Sequence, residues 1–203
     1  VKVSSQSDQA NSAVKKLVTN SLFDYVEDNA GGRTAVIACG RHLQNLDRDS
    51  GVTEEVQKAV QAQNIEFNST ADDSWEVYYP GQTFQSIRNE NLQEYDATNS
   101  VGSTSVHPVI YGLKVSSEGN AGLFESFSGR TLRYIGLAGA QITGTKSVGA
   151  LAGEVSGTVE IDHCQVFLSQ WKNDLNGKTE RDIWLEGGTT GGLIGTIRAG
   201  DMR

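Results

Sequence analysis

The chain has few of the residues that cross-link a fold, break its secondary structure or carry positive charge. Its 203 residues include two cysteines and two prolines, and 17 basic residues face 25 acidic ones, for a formal net charge of −8. Two isolated cysteines cannot form a disulfide scaffold or a zinc site. The deficit of Lys and Arg excludes the basic surface that binds nucleic-acid phosphates. No apolar run approaches the roughly 18 residues of a membrane-spanning helix, so no membrane insertion is expected.

The remaining composition is typical of a globular protein. Hydrophobic residues make up 37% of the chain and charged residues 21%, which is enough apolar surface for a core. The first residue is Val1 rather than Met, which suggests a processed piece of a larger multidomain chain. Cys39 and Cys164 both lie among apolar residues. We expect buried thiols, and a single disulfide between the two is the alternative.

The N-terminal part predicts a mixture of helices and strands. Apolar residues recur every three or four positions, or follow good helix-starting residues, in segments 14–26, 41–46 and 53–63, which are predicted to be helical. Apolar or alternating runs predict strands at residues 34–39, 65–68 and 109–115. We therefore expect residues 1–70 to form a helical cap and first strand.

The C-terminal part is rich in glycine and repeats itself. Residues 119–200 contain 16 of the 23 glycines. Glycine–leucine cores align on Leu123, Leu151 and Leu193, at steps of 28 and 42 residues, and the longer step holds an insertion at 171–185. Short strands between glycine corners bury their faces by stacking in register, with backbones about 4.8 Å apart. This pattern favours a mainly β solenoid over residues 71–203, rather than a β-sandwich, joined to the cap as one structural unit.

Particular residues are expected inside and outside this solenoid. The three aligned leucines and Cys164 are predicted to face the core. Two polar segments, 86–107 and 171–185, are predicted to be excursions on the surface.

The glycine–leucine cores resemble the GLUG repeat of large bacterial surface proteins. In that repeat a core reading roughly VGGLVG is followed by G-T-I-x-N-C-x-V. Residues 148–153 and 190–195 are similar to the core, and residues 157–166 are similar to the second element, with two extra residues. Residues 120–124 and 131–137 resemble the first repeat of such an array.

The resemblance covers residues 34–200 and is strongest over 109–168. The aspartate–glycine turn that usually lies ahead of the strand at Ile110 is missing, and the 86–107 segment stands in its place. Because of that departure, residues 86–107 differ more from the GLUG pattern than any other part of the chain.

The GLUG resemblance implies a right-handed β-helix in a secreted or cell-wall-attached bacterial protein. Such repeats occur in adhesins and beside immunoglobulin A-cleaving metallopeptidases. These associations name no ligand, and we expect a non-enzymatic binding module that contacts a host secreted glycoprotein such as an immunoglobulin or a mucin; the immunoglobulin rests only on the proteins in which this repeat occurs. A passive stalk that displays neighbouring domains is the first alternative, and a glycan-processing β-helix enzyme is the second.

The sequence offers no strong catalytic or metal-binding motif. The three histidines lack the helical spacing of a zinc peptidase. Glu160 and Asp162 share a strand face, where a solvated surface is favoured over the carboxylate pair of a glycosidase. Strand alternation separates the side chains of Asp162-His163-Cys164, which disfavours a nucleophile. Residues 47–55 only partly fit a calcium loop. No catalytic residue, metal or cofactor is predicted.

The candidate binding residues lie in the two excursions. Exposed Trp, Tyr and Arg side chains are typical of protein- and glycan-binding surfaces. The candidates are Arg88, Tyr95, Trp171, Lys172, Arg181 and Trp184. The alternative is that both tryptophans fold back and cap the flank of the solenoid.

Overall fold

A computed structural model of the chain describes residues 24–27, 33–47, 56–67, 82–98, 107–167 and 183–198. In these ranges the chain is mainly β, with eighteen short strands and one helix. The helix, α1 (Gly40–Asn45), has only six residues. No helix in the described ranges has the length and apolar character needed to cross a membrane.

The strands follow one another in four units of similar layout. Two strands precede the units and α1: β1 (Asp24–Glu27) and β2 (Arg33–Ile37). Unit 1 consists of β3 (Lys58–Gln61), β4 (Ile65–Glu66) and the bridge residues Phe84 and Ile87. Unit 2 consists of β5 (Glu94–Asp96), β6 (Val109–Tyr111), β7 (Lys114–Ser117) and β8 (Phe124–Phe127). Unit 3 consists of β9 (Thr131–Arg133), β10 (Gly136–Ala138), β11 (Gln141–Gly144), β12 (Ser147–Val148) and β13 (Ala152–Val155). Unit 4 consists of β14 (Glu160–Asp162), β15 (Gln165–Phe167), β16 (Trp184–Glu186), β17 (Thr189–Thr190) and β18 (Ile194–Ile197).

Equivalent strands of successive units pair in parallel and form five sheets. Sheet A has the order β1-β2-β3-β5-β9-β14, in which only the β1–β2 pair is antiparallel. Sheet B is β4-β6-β10-β15, sheet C is β7-β11-β16, sheet D is β8-β13-β18 and sheet E is β12-β17. Units 3 and 4 therefore pass through the sheets in the same order: A, B, C, E and D. Strands on both sides of residue 70 share sheets A and B.

Parallel pairing places equivalent side chains of neighbouring units side by side. We call each such line of inward side chains a column. A column runs through each sheet: Ala35, Ala59, Tyr95, Leu132 and Ile161 in A; Ile65, Ile110, Leu137 and Val166 in B; Phe84, Val115, Ile142 and Leu185 in C; Ile87, Phe124, Ala152 and Ile194 in D; Ala121 and Val148 in E, where the exposed Thr190 follows in register. These columns form the core of the molecule.

The three aligned leucines lie at equivalent positions of units 2, 3 and 4. The N–H of Leu151 donates to the carbonyl of Leu193 at 2.9 Å, and the carbonyl of Leu151 accepts from the N–H of Phe124 at 2.9 Å. Leu123 and Leu151 are completely buried, whereas Leu193 is partly buried.

Glycine is required where the backbones of units 3 and 4 come closest. A Cβ on Gly149 would lie 2.5 Å from the backbone nitrogen of Gly195. A Cβ on Gly195 would lie 2.6 Å from the backbone nitrogen of Val148. Because both obstacles are backbone atoms, no side chain fits at either position.

The structure agrees with several local predictions and contradicts one predicted helix and the last three residues of another. Strands lie within the segments predicted at 34–39 and 65–68, of which residue 68 lies outside the described residues, and the helix overlaps the one predicted at 41–46. The segment predicted as one strand at 109–115 contains two, β6 and β7, with a turn at Gly112 between them. The helix predicted at 53–63 is wrong, because β3 lies within it and pairs with β2 and β5. Partners on both sides satisfy the β3 backbone, which overrides local helix propensity. Of the helix predicted at 14–26, residues 24–26 are in β1 and the rest lies outside the described residues. The predicted helical cap is thus not confirmed.

The surface excursion predicted at 86–107 is wrong over its first part. Ile87, Leu92, Tyr95 and Ala97 are completely buried or nearly so, and β5 pairs with β3 and β9 in the middle of sheet A. Residues 99–106 lie outside the described residues. The excursion predicted at 171–185 is also shortened, since Trp184 and Leu185 belong to β16; residues 171–182 lie outside the described residues.

The equivalent positions of Leu123, Leu151 and Leu193 predict that the cost of a substitution depends on how deeply the leucine is buried. Leu151→Ala is expected to lower the free energy of unfolding by about 2–5 kcal/mol, because it opens a cavity between two neighbouring units. Leu193→Ala should cost distinctly less, since that side chain is only partly buried. Urea denaturation followed by circular dichroism measures both, with the exposed Ser126→Ala as a control that should change little. Equal costs at the two leucines would contradict the difference in burial between units 3 and 4.

Candidate binding surface

The structure describes three of the six predicted binding residues. Trp171, Lys172 and Arg181 lie outside the described residues. Trp184 lies on β16 and is 58% exposed, and its indole N–H donates to Glu186 Oε2 at 3.2 Å. Trp184 is therefore exposed, and its role in binding stays a prediction.

Tyr95 is not a surface residue, so its assignment to the binding surface is wrong. Its ring packs edge-to-face against Phe124, with centroids 6.0 Å apart, and its hydroxyl donates to Gln61 Oε1 at 3.1 Å. The Gln61 amide in turn donates to the carbonyl of Gln63 at 3.1 Å. Burial raises the pKa of Tyr95 above its ordinary value of 10.0. Tyr95 is a core residue whose one polar atom has a buried partner.

Arg88 is half-buried and holds two segments together. Its backbone N–H donates to Asp47 Oδ1 at 2.8 Å, and its guanidinium lies 3.5 Å from Asp47 Oδ2 and 3.5 Å from Glu125 Oε2. Asp47, the first acid of the partial calcium-loop pattern, is itself buried against this arginine. The contacts of Arg88 favour a structural role over ligand binding.

A charged cluster lies on the outward face of sheet A. The register aligns Asp96, Arg133 and Asp162 across three strands. The Arg133 guanidinium lies 3.9 Å from Asp96 Oδ2, 3.7 Å from Asp162 Oδ2 and 3.8 Å from Glu160 Oε2. Glu160 and Asp162, which the sequence analysis considered as a glycosidase carboxylate pair, therefore contact the same arginine. This arrangement favours an ion-pair network over an acid–base pair.

Three aromatic rings stack beside the charged cluster, and we call them the corner stack. The ring of Tyr134 lies between His107, at a centroid distance of 4.2 Å, and His163, at 4.6 Å. Tyr134 and His163 have φ angles of 56° and 51°, in the left-handed region, where the chain turns from sheet A towards sheet B. The Nδ1 atom of His163 lies 2.5 Å from Asp162 Oδ1. The exposed His163 forms the outer end of the stack.

The sequence analysis did not single out the corner stack, although part of it was detectable. Aligning residues 132–135 with residues 161–164 places Tyr134 over His163. The third ring, His107, follows residues 99–106, which interrupt the repeat, so no alignment of units places it there. The stack shows that the corner positions, as well as the strands, are in register.

Cys164 has the environment of a structural thiol. It lies within 3.4 Å of the carbonyl of Leu132 and 3.5 Å of the carbonyl of Asp162, both of which can accept from its S–H. Burial raises the pKa of the thiol from 9.0 to about 11; a hydrogen bond with the Ile135 backbone lowers it and the charge of Asp162 raises it. The thiol is protonated at neutral pH, which makes it a poor nucleophile. Cys39 and Cys164 are both free, so the alternative of a disulfide is wrong.

Glu154 provides another surface ion pair, with Oε1 lying 2.8 Å from Arg198 Nε. In the ranges that the structure describes, no three His, Cys, Asp or Glu side chains are grouped so that they could hold a metal ion. The surface features found in these ranges are exposed aromatic rings and ion pairs.

The raised pKa of Cys164 predicts a loss of stability at alkaline pH. The unfolded thiol ionises near pH 9 and the folded thiol near pH 11, so the unfolded state gains from ionisation first. The contribution of the protonated Cys164 thiol to the free energy of unfolding is complete below about pH 9 and is lost as the pH rises to about 11. Urea denaturation at several pH values should show the difference between the wild type and Cys164→Ala shrinking over this range. A difference that does not change with pH contradicts the assignment.

The charged cluster predicts a salt-dependent contribution from Arg133. Arg133→Gln leaves Asp96, Glu160 and Asp162 close together without their cation, which should cost about 1 kcal/mol at low salt. The cost should shrink at high salt because these side chains are partly exposed. Urea denaturation at low and high NaCl concentration measures it. Arg130→Gln, at an exposed arginine just before β9, is the matched control; an equal effect in both variants would contradict the network.

The chain matches no family model, no curated protein and no solved structure.

Proposed function

We propose that this chain is a module of a right-handed β-helix of the GLUG-repeat class and serves as a non-enzymatic spacer in a secreted or cell-wall-attached bacterial surface protein. The observation that carries the proposal is the alignment of successive units. Units 3 and 4 pass through five sheets in the same order, and Leu123, Leu151 and Leu193 occupy equivalent positions. A glycine–leucine core that repeats in sequence thus also repeats in space.

A spacer needs a construction that can be extended without redesign. Each parallel unit adds about 4.8 Å to such a stack, and each unit contacts mainly its two neighbours. The buried columns supply cohesion along the stack. On the outside of the described ranges, Arg133 and Glu154 take part in ion pairs with neighbouring side chains. These features support a structural role in displaying neighbouring domains.

Binding to a host secreted glycoprotein, such as an immunoglobulin or a mucin, is the second candidate. The exposed Trp184 favours it, because tryptophan often dominates the energy of protein interfaces. The case is weaker than the sequence indicated, since Tyr95 is buried and Arg88 is held by Asp47 and Glu125. Of the predicted binding residues in the described ranges, Trp184 carries this candidate.

A glycan-processing enzyme ranks third. Such enzymes use two carboxyl groups that face each other across a sugar-binding groove. The carboxylate pair considered from sequence, Glu160 and Asp162, contacts Arg133 instead. A third carboxylate, that of Glu154 on β13, contacts Arg198. This pairing supports a surface role for all three.

The spacer role predicts that the chain does not bind host secreted proteins. Biolayer interferometry on the immobilised chain, with secretory immunoglobulin A, immunoglobulin G Fab and mucin as analytes, should show no saturable response up to about 50 µM. The physical reason is that the charges of the cluster around Arg133 and of Glu154 are paired within the chain.

Saturable binding would contradict the spacer role, and two variants then locate the contact. Trp184→Ala removes one exposed apolar side chain, and Ile197→Ala, the matched control, removes the other one in the described ranges. A loss of at least about tenfold in Trp184→Ala alone would establish the second candidate. Binding unchanged in both variants would still overturn the spacer role and would place the contact elsewhere.

A further inference from the structure

The backbone around Phe84 and Ile87 pairs with unit 2 on one side. Both residues donate their N–H groups to carbonyls of unit 2, each at 2.9 Å. Successive residues of a parallel strand turn their backbone groups to opposite sides. The backbone groups of the next residues, Gln85 and Arg88, therefore face away from unit 2, at the edges where sheets C and D begin in the described ranges.

Side chains from α1 and the turn after it occupy these two edges. The N–H of Gln85 donates to Gln44 Oε1 at 2.8 Å, and Gln44 Nε2 donates to the carbonyl of Gln85 at 3.1 Å. One side-chain amide thus supplies the acceptor and the donor that the backbone of a neighbouring strand would supply. At the second edge, the N–H of Arg88 donates to Asp47 Oδ1 at 2.8 Å.

The sequence of α1 suits it to both tasks, covering the core and reaching the edges. Gln44 and Asp47 are three residues apart, which is close to one helical turn, so their side chains lie on the same side. Leu43 and Leu46 each come one position earlier, are no more than 1% exposed and belong to the buried core. Apolar side chains therefore anchor α1 while the polar ones beside them meet the backbone edges.

The segment after Ile87 strengthens the attachment of α1. Asn89 Nδ2 donates to the carbonyl of Leu46 at 2.9 Å, where α1 ends. The Arg88 guanidinium lies 3.5 Å from Asp47 Oδ2, and Asp47 is only 4% exposed. The contact between α1 and the edges thus combines hydrogen bonds, a partly buried ion pair and apolar packing.

We propose that residues 40–47 act as an edge cap, which prevents strands of other molecules from pairing with the unit 1 edges of sheets C and D. Strand edges are sites of association between chains, and natural proteins cover them with helices, loops or charged side chains. An incoming strand has to displace Gln44 and Asp47 before it can pair. The edge cap is much smaller than the helical cap predicted over residues 1–70. The inference depends on these contacts and not on the proposed spacer role.

Hydrogen exchange of the complete chain, followed by NMR, tests the contact. Gln44→Ala removes the partners of the Gln85 backbone and should speed exchange of the Gln85 amide by at least about tenfold. The Phe84 amide, which donates to unit 2, is the internal control and should exchange as in the wild type. Gln141→Ala, at a partly exposed glutamine of β11, is the matched control and should change neither amide. A Gln85 amide that exchanges in Gln44→Ala as it does in the wild type overturns the proposal.

Sedimentation velocity tests whether the cap prevents association. At about 100 µM, Gln44→Ala/Asp47→Ala should form larger species than the wild type does at the same concentration, because both edges are then open to other molecules. Circular dichroism reports whether the double variant keeps its β structure. If it does not, Gln44→Ala alone is compared with the wild type, since it leaves the ion pair of Asp47 with Arg88 in place. A folded variant whose mass equals that of the wild type overturns the protective role of the edge cap.

Discussion

Parallel backbone pairing between equivalent strands is the constraint on which the rest of the structure depends. At a spacing of about 4.8 Å it fixes the register of each unit on the next, and a slip of one residue would turn inward side chains outward. The register in turn places Leu151 between Leu123 and Leu193. It also accounts for Gly149 and Gly195, where the backbone of the adjoining unit occupies the place of a side chain.

The same register organises the outer surface by charge. Outward side chains at equivalent positions lie next to one another, so like charges in a line would repel, and opposite charges attract. Sheet A satisfies this requirement by alternation: Asp96, Arg133 and Asp162 follow one another in one line, and Lys58 lies 3.3 Å from Glu94 in the next. An acidic chain thus pairs some of its carboxylates locally. Its surface charge is part of the packing of the units.

The sequence predicted best where a unit repeats a visible pattern. The aligned leucines and the strands around Ile110 follow directly from glycine spacing and alternation. It failed where the pairing partner, rather than the local residues, decides the structure. Lys58–Gln61 follows good helix-starting residues but lies between β2 and β5, and Tyr95 stands among polar residues yet aligns with Leu132 in the core. The corner stack was missed for a related reason, since His107 reaches Tyr134 across residues that break the repeat.

A partner at unit 4 and a partner at the outward face of sheet A would contact the chain through different interactions. Stability in a stacked fold is a sum over neighbouring units, so unit 4, with one described neighbour, is expected to open more readily than unit 3. A partner that added strands to unit 4 would bury Leu193 and Ile197 and would therefore stabilise the fold as it bound. A partner at Arg133 contacts side chains that are already paired and adds no strand. Contact at unit 4 is thus coupled to folding through the backbone, whereas contact at sheet A depends on charge and on salt.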